Sequence, residues 1–178
     1  MDERMDERIW TDTPLQEGER LAKPDCEITR VATGHQSLIS GQLDAALRLL
    51  APDIPEAGFG GRADPAETAI RIARDRMLLV TRAPLPQPAG WHAAGFAVSR
   101  AGALYAPLRF SGTCAWDMLA HGLISPPPHG SRSAALHVAG ISALVTGPAE
   151  GRADGLTLWV PQAHLTYLTS FLRQLPPA

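Results

Sequence analysis

Asparagine is absent from this 178-residue chain, lysine occurs once, at Lys23, and there are two cysteines, Cys26 and Cys114. Two thiols cannot build a disulfide framework, so they read as free thiols of a reducing cytoplasm. Acids are scarce over one long stretch, with Asp117 the only one between Arg76 and Glu150. A body so poor in carboxylates has little from which to make general acid–base pairs. No apolar run approaches the roughly 20 residues of a membrane span. Met1–Arg8 is a repeated Met-Asp-Glu-Arg, acidic where a signal peptide needs an apolar core. A cytoplasmic location is expected.

What is present is ordinary for a globular protein: 45% hydrophobic residues and a formal net charge of −2. Neither nucleic acid nor anionic lipid is favoured by that balance. The charge is uneven, however. Residues 1–27 hold nine acids against four bases, and the remainder nine acids against twelve bases. We therefore read 1–27 as a flexible acidic leader and 28–178 as one folded domain. Fifteen Arg against one Lys, with abundant Ala, Gly and Pro, reflects a GC-rich coding sequence rather than a function.

Periodicity predicts a strand over Glu27–Ile39, then a helix capped by Ser40 and running to Leu50 with Leu43, Ala46, Leu47 and Leu50 on one face. Ala51–Pro65 reads as a loop. Thr68–Ala73 and Met77–Arg82 flank a charged turn and form a hairpin. A short helix over Pro88–Ala94 and a strand at Gly95–Ser99 complete a first half. The second half repeats the order: a strand at Ala103–Phe110, and a helix from Ser111 to His121 closed by Gly122. A Pro-rich loop at Pro126–Gly130 follows, then strands at Ser133–Ala139, Ile141–Thr146 and Leu156–Val160. Pro161 at a first helical position then opens a helix with Leu165, Leu168, Leu172 and Leu175 as its buried stripe. The expected fold class is α+β, two interlocked β-α-β-β halves sharing a sheet, since each half alone is too small to bury much.

No catalytic constellation emerges. His121, His129 and His137 fall eight apart, which aligns them on no helix, and neither HxH, HExxH nor a paired Cys spacing occurs. There is no G-x-S-x-G elbow. Cys114 in a first helical turn could have a lowered pKa, but a small buried hydrophobe is the commoner fate of a lone cysteine. Gly58-Phe59-Gly60-Gly61 lacks the Lys-Ser/Thr and the following helix of a phosphate loop, and reads as a turn. Arg82, Arg100, Arg109 and Arg132 have no evident local partner; they are either solvated or paired with carboxylates of another chain. Trp91 and Trp116 are core residues or interface anchors.

Val98-Ser99-Arg100, Leu108-Arg109-Phe110-Ser111-Gly112 and Met118-Leu119-Ala120-His121-Gly122 resemble the gamma subunit of bacterial heterotetrameric sarcosine oxidase. Leu158-Trp159-Val160-Pro161 with the Leu-rich helix after it looks like that family's C-terminal signature, and Ile72–Val80 is similar to its central hairpin. The resemblance spans roughly residues 28–175 and is densest over 67–175. Two positions depart from the pattern: Ala97 stands where an acid is usual, and Leu123-Ile124 where an Asp is usual. The resemblance implies a fold similar to the folate-binding aminomethyltransferase proteins. It implies an accessory, non-catalytic chain that supports assembly with alpha and beta subunits in a flavin-dependent oxidase of sarcosine or a related N-methyl amine. FAD, FMN, NAD and tetrahydrofolate are then expected in those partner subunits, with none bound by this chain. No catalytic, cofactor-binding or metal-binding residue is carried over. The alternatives are a stand-alone folate-binding protein of the aminomethyltransferase type and a small enzyme using Cys114 or a histidine.

Overall fold

A computed structural model describes residues 13–112, 115–122, 132–147 and 155–175. The chain is α+β and is built on two six-stranded sheets. The first half supplies β3 (His35–Gly41), α1 (Leu43–Leu50), β4 (Glu56–Ala57), β5 (Thr68–Ala73), β6 (Arg76–Thr81), β7 (Gly90–His92) and β8 (Phe96–Gly102). These strands form one sheet in the order β4-β5-β6-β3-β8-β7, antiparallel except for the β4–β5 pair. The second half supplies β9 (Tyr105–Gly112), α2 (Ala115–Ala120), β10 (Ala135–Val138), β11 (Ile141–Thr146), β12 (Leu156–Pro161) and α3 (Leu165–Gln174). Its antiparallel sheet is completed by two strands from the start of the chain, β1 (Arg20–Lys23) and β2 (Cys26–Arg30), in the order β1-β2-β9-β12-β11-β10.

The two sheets stack face to face with helices outside, and alternation along each strand divides its side chains between two cores. On β6, Leu78 and Val80 point into an inter-sheet core with Ile70, Ala134, Leu144 and Trp159, while Met77 and Leu79 point outward to α1. On β12, Trp159 points inward, whereas Leu156, Leu158 and Val160 face α2 and α3. This is why β5, β6, β11 and β12 read as nearly continuous apolar runs: they are covered on both faces. Gln36 of β3, 3% exposed, ties the layers together. Its side-chain amide donates to the Tyr105 carbonyl and accepts from the Tyr105 N–H, both at 2.7 Å.

Several expectations are corrected. The halves do not share a sheet; they interlock because β1 and β2 cross to the sheet of the second half. Residues 13–27 are therefore not leader but fold, while 1–12 lie outside the described residues. Leu15 is buried, β1 pairs with β2 through Arg20↔Thr29 to Lys23↔Cys26, and Lys23 Nζ donates to the Arg173 and Leu175 carbonyls. An edge strand with one solvated face carries charge without an apolar run, which is what hid β1. Its turn is chemically apt: Pro24 presets φ at the first central position and Asp25 takes a left-handed φ of 59° at the second.

The predicted strand over Glu27–Ile39 is two strands in different sheets, β2 and β3. Ser40 stays in β3, paired with Arg76 and Ala97, so α1 starts at Leu43. Gly41 makes that exit possible, with φ 105° and a position where a Cβ would lie 2.5 Å from the Gly95 carbonyl oxygen. The expected helix over Pro88–Ala94 is replaced by edge strand β7. Ser111 caps nothing: it lies in β9, its hydroxyl donating to the Glu27 carbonyl at 3.3 Å. Pro161 ends β12 opposite Tyr105, and a 3-10 turn (Gln162–His164) precedes α3. Among the described residues no helix is long and apolar enough to cross a membrane.

Candidate functional site

The residues singled out by sequence scatter. Cys26 is a buried thiol of the outer core beneath α2 and α3. Cys114 and His129 lie outside the described residues. His121 and His137 are exposed, and His121 Nδ1 lies 2.8 Å from the Asp117 carbonyl oxygen of its own helix. Among the described residues no three of His, Cys, Asp and Glu are grouped to hold a metal ion. The Gly58–Gly61 run serves close backbone approach. A Cβ on Gly58 would meet the Arg132 main chain, and the Gly147 N–H donates to the Gly61 carbonyl.

The arginines prove informative. Arg82 pairs on the surface with Asp64 at 3.1 Å and Glu67 at 3.2 Å, and Arg100 donates to the Leu85 and Gln87 carbonyls. Both are spoken for within the chain, correcting the expectation that they lack local partners. Arg132 reaches Glu56 at 3.3 Å. Glu56 is the hub of a cluster that sequence reasoning missed. Arg71 of β5, its side chain 9% exposed, grips both Glu56 oxygens at 2.7 and 2.6 Å, and Asp44 of α1 lies 3.8 Å away. The Arg71 guanidinium, bonded to both oxygens, holds the Glu56 carboxyl below the usual carboxylate range against the opposing effect of burial.

A cleft of about 320 Å³ opens beside this cluster, lined by Asp44, Arg71, Arg74, Asp75 and Arg132. Its lining carries three arginines against two acids, and Glu56 beside it supplies a third carboxylate; the strong pair braces β4 against β5 within one sheet, and Arg132 reaches it from the segment leading into β10. The Ala134 N–H donates to the Arg71 carbonyl, and the Ser133 hydroxyl to that of Ile72. The missing signal is sequence distance: Glu56 and Arg71 meet through the parallel pairing of β4 with β5, and Arg132 joins them only through the stacking of the two sheets.

Trp91 is the most exposed large hydrophobic residue described, at 72%. It lies on β7, at the edge of its sheet, beside His92, whose ring stacks on Phe96 at 4.7 Å. Trp116 is by contrast packed edge-on against Phe59 at 5.8 Å. An exposed indole beside a sheet edge offers both an anchor and unpaired main-chain groups.

No family model matches the chain, and no curated protein matches it by sequence. Among solved structures, it is similar to a chain of heterotetrameric sarcosine oxidase from a Corynebacterium species, a complex determined with pyrrole 2-carboxylate. The TM-score is 0.54 at 15% identity, over 90% of this chain and 92% of that one. Since the two coverages are nearly equal, the two chains are of closely similar length, and their folds are related over about nine-tenths of each.

Proposed function

We propose that this chain is an accessory, non-catalytic subunit of a heteromeric, flavin-dependent sarcosine oxidase or a related N-methyl amine demethylase, acting in the assembly of that complex. The observation that carries the reading is the similarity of fold, over 90% of this chain and 92% of the other, to a chain of a heterotetrameric oxidase. Two further features support it. Three of the sequence motifs that resemble the gamma subunit fall in the middle of β8, at the end of β9 and at the end of α2. Trp91, exposed on an edge strand, suits a protein partner better than solvent. On this reading the fold is aminomethyltransferase-like, the partners are alpha and beta subunits, and FAD, FMN, NAD and tetrahydrofolate belong to them. The cytoplasm is the compartment.

The test is co-expression with the alpha and beta subunits of a heterotetrameric sarcosine oxidase. A tagged copy is expected to retain a yellow, flavin-absorbing partner through size exclusion, and Trp91→Ser to weaken that retention without changing the melting temperature of the isolated chain. Recovery of the tagged chain alone, free of flavoprotein, would overturn the proposal. Calorimetric titration with a reduced folate separates it from the stand-alone folate-binding alternative, which requires saturable binding by the isolated chain.

A further inference from the structure

One end of the inter-sheet face carries a row of polar side chains that the inter-sheet core does not use. Cross-strand registers place Thr29 of β2 opposite Arg109 of β9, Arg109 opposite Thr157 of β12, and Thr157 opposite Thr146 of β11. All four side chains therefore share one face across four adjacent strands. A cleft of about 330 Å³ lies over this row, bounded by Arg109, Ser111, Thr146 and Thr157, with Arg62 on its other side. That size is at the small end of ligand pockets.

The donors here are left available. Arg109 makes no ion pair or hydrogen bond with another described residue. The Thr157 hydroxyl, in a residue 7% exposed, likewise has no partner among them. Thr146, 1% exposed, accepts the buried Trp159 indole N–H at 3.0 Å, which occupies an oxygen lone pair and leaves its proton to be donated elsewhere. Thr146 and Thr157 are directly opposite, about 5 Å apart at Cβ, so both hydroxyls can reach different oxygens of one group. Among the described residues no carboxylate lines the cleft. The adjacent Glu27 is engaged by Arg20 at 3.4 Å and by the Thr29 hydroxyl at 3.2 Å. The Arg109 charge in a concave site attracts anions, and its planar guanidinium beside two hydroxyl donors matches the oxygens of an oxyanion.

We propose that this cleft is a binding site for the oxyanion group, carboxylate or phosphate, of a small molecule, with Arg109 as the charged anchor and Thr146 and Thr157 as the orienting donors. This is independent of any role in a heteromeric complex and is tested on the full isolated chain. Nitrogen-15 NMR titrations with inorganic phosphate and, separately, with acetate read the amides of Gly147, Gly155 and Thr157 and the Arg109 side chain. At least one anion is expected to shift these resonances together and saturably, with a dissociation constant in the low millimolar range; which one does so identifies the ligand chemistry. Arg109→Gln should weaken binding about tenfold and Arg109→Lys less than that, because Lys keeps the charge but not the fork. Arg100→Gln, on the other sheet, should leave it unchanged. Arg109 is exposed, so its variants should remain folded, which the unperturbed remainder of each spectrum verifies. Non-saturating shifts up to about 100 mM for both anions, or an affinity indifferent to Arg109→Gln, would overturn the proposal.

Discussion

Breaking the Arg71–Glu56 pair should expose what holds edge strand β4 against β5. Removal of Glu56 leaves the Arg71 guanidinium, 9% exposed, beside only the more distant Asp44 and one main-chain carbonyl, that of Arg74 at 3.3 Å. Breaking a fully buried pair costs about 3–5 kcal/mol, and an exposed one about 0–1 kcal/mol. The Glu56 side chain keeps 21% exposure, which admits water to soften the loss. We therefore expect Glu56→Ala to cost about 2–3 kcal/mol, placed between those limits. In a chain of this size that lowers the melting temperature by roughly 4–12 °C. Glu56→Gln, which retains one acceptor, should cost about half as much, since it loses charge assistance rather than every bond.

The pH dependence gives a sharper criterion. Glu56 titrates below its ordinary 4.5 in the folded chain because Arg71 binds its ionised form, and near that value when unfolded. The unfolded state thus takes up the proton first. The stabilisation is complete above about pH 4.5 and is lost as pH falls through the lower, folded value. Urea unfolding followed by circular dichroism, native against Glu56→Gln, should show a constant difference from pH 7 to about pH 5 that closes below pH 4.5. Parallel curves down to pH 3, or a cost for Glu56→Ala under about 0.5 kcal/mol, would show that the cluster is surface electrostatics rather than a brace between β4 and β5.

Three other perturbations probe the same architecture. Gln36→Leu strands the N–H and carbonyl of Tyr105 without their side-chain partner; it should cost about 2–4 kcal/mol, with faster hydrogen exchange at Tyr105 than at Ala106. Trp159→Phe retains most of the inter-sheet packing but loses the indole bond to Thr146; a loss of about 1–2 kcal/mol is expected in chemical denaturation. Ala139→Asn should stabilise, because Ala139 and Gly140 form the two-residue turn of the β10–β11 hairpin with φ of 50° and 80°. A left-handed alanine costs about 1–2 kcal/mol that asparagine largely avoids, so a rise of a few degrees in melting temperature is the outcome to measure.

Much of the fold was legible because the strands sandwiched on both faces are apolar throughout. Thr68–Ala73, Ile141–Thr146 and the strand at Leu156 were readable from hydrophobic runs alone, as was α3 from its leucine stripe. What failed had weak local encoding. β1 is an edge strand of four residues with Arg20 and Lys23 at its ends, β7 is three residues long, and Ser40 and Ser111 look like caps although each is committed to ladder pairing in a strand. Pro161 at the end of β12 is tolerable because its partner Tyr105 begins β9, where a lost donor is least costly. Cap chemistry and strand-end chemistry draw on the same residues, and only the paired strand distinguishes them.

The polar clusters divide along the same line. Sequence scarcity of acids correctly drew attention to the arginines, yet it could not sort them, because partnership depends on which strands become neighbours. Arg82 meets Glu67 only through β5–β6 pairing, and Arg132 meets Glu56 only through sheet stacking. Arg109 is the informative remainder. Its register neighbours on β2 and β12 are threonines, Thr29 and Thr157, where an acid on either strand would have made one more cross-strand ion pair. A guanidinium flanked by hydroxyls and no carboxylate adds nothing to the stability of the sheet, so the substitution to examine is one that supplies the missing charge. Thr157→Asp should pair with Arg109 across the strands and abolish anion binding while leaving the two-sheet core in place. If Thr157→Asp still bound phosphate or acetate as the native chain does, the row would be no more than a solvated margin of the sheet.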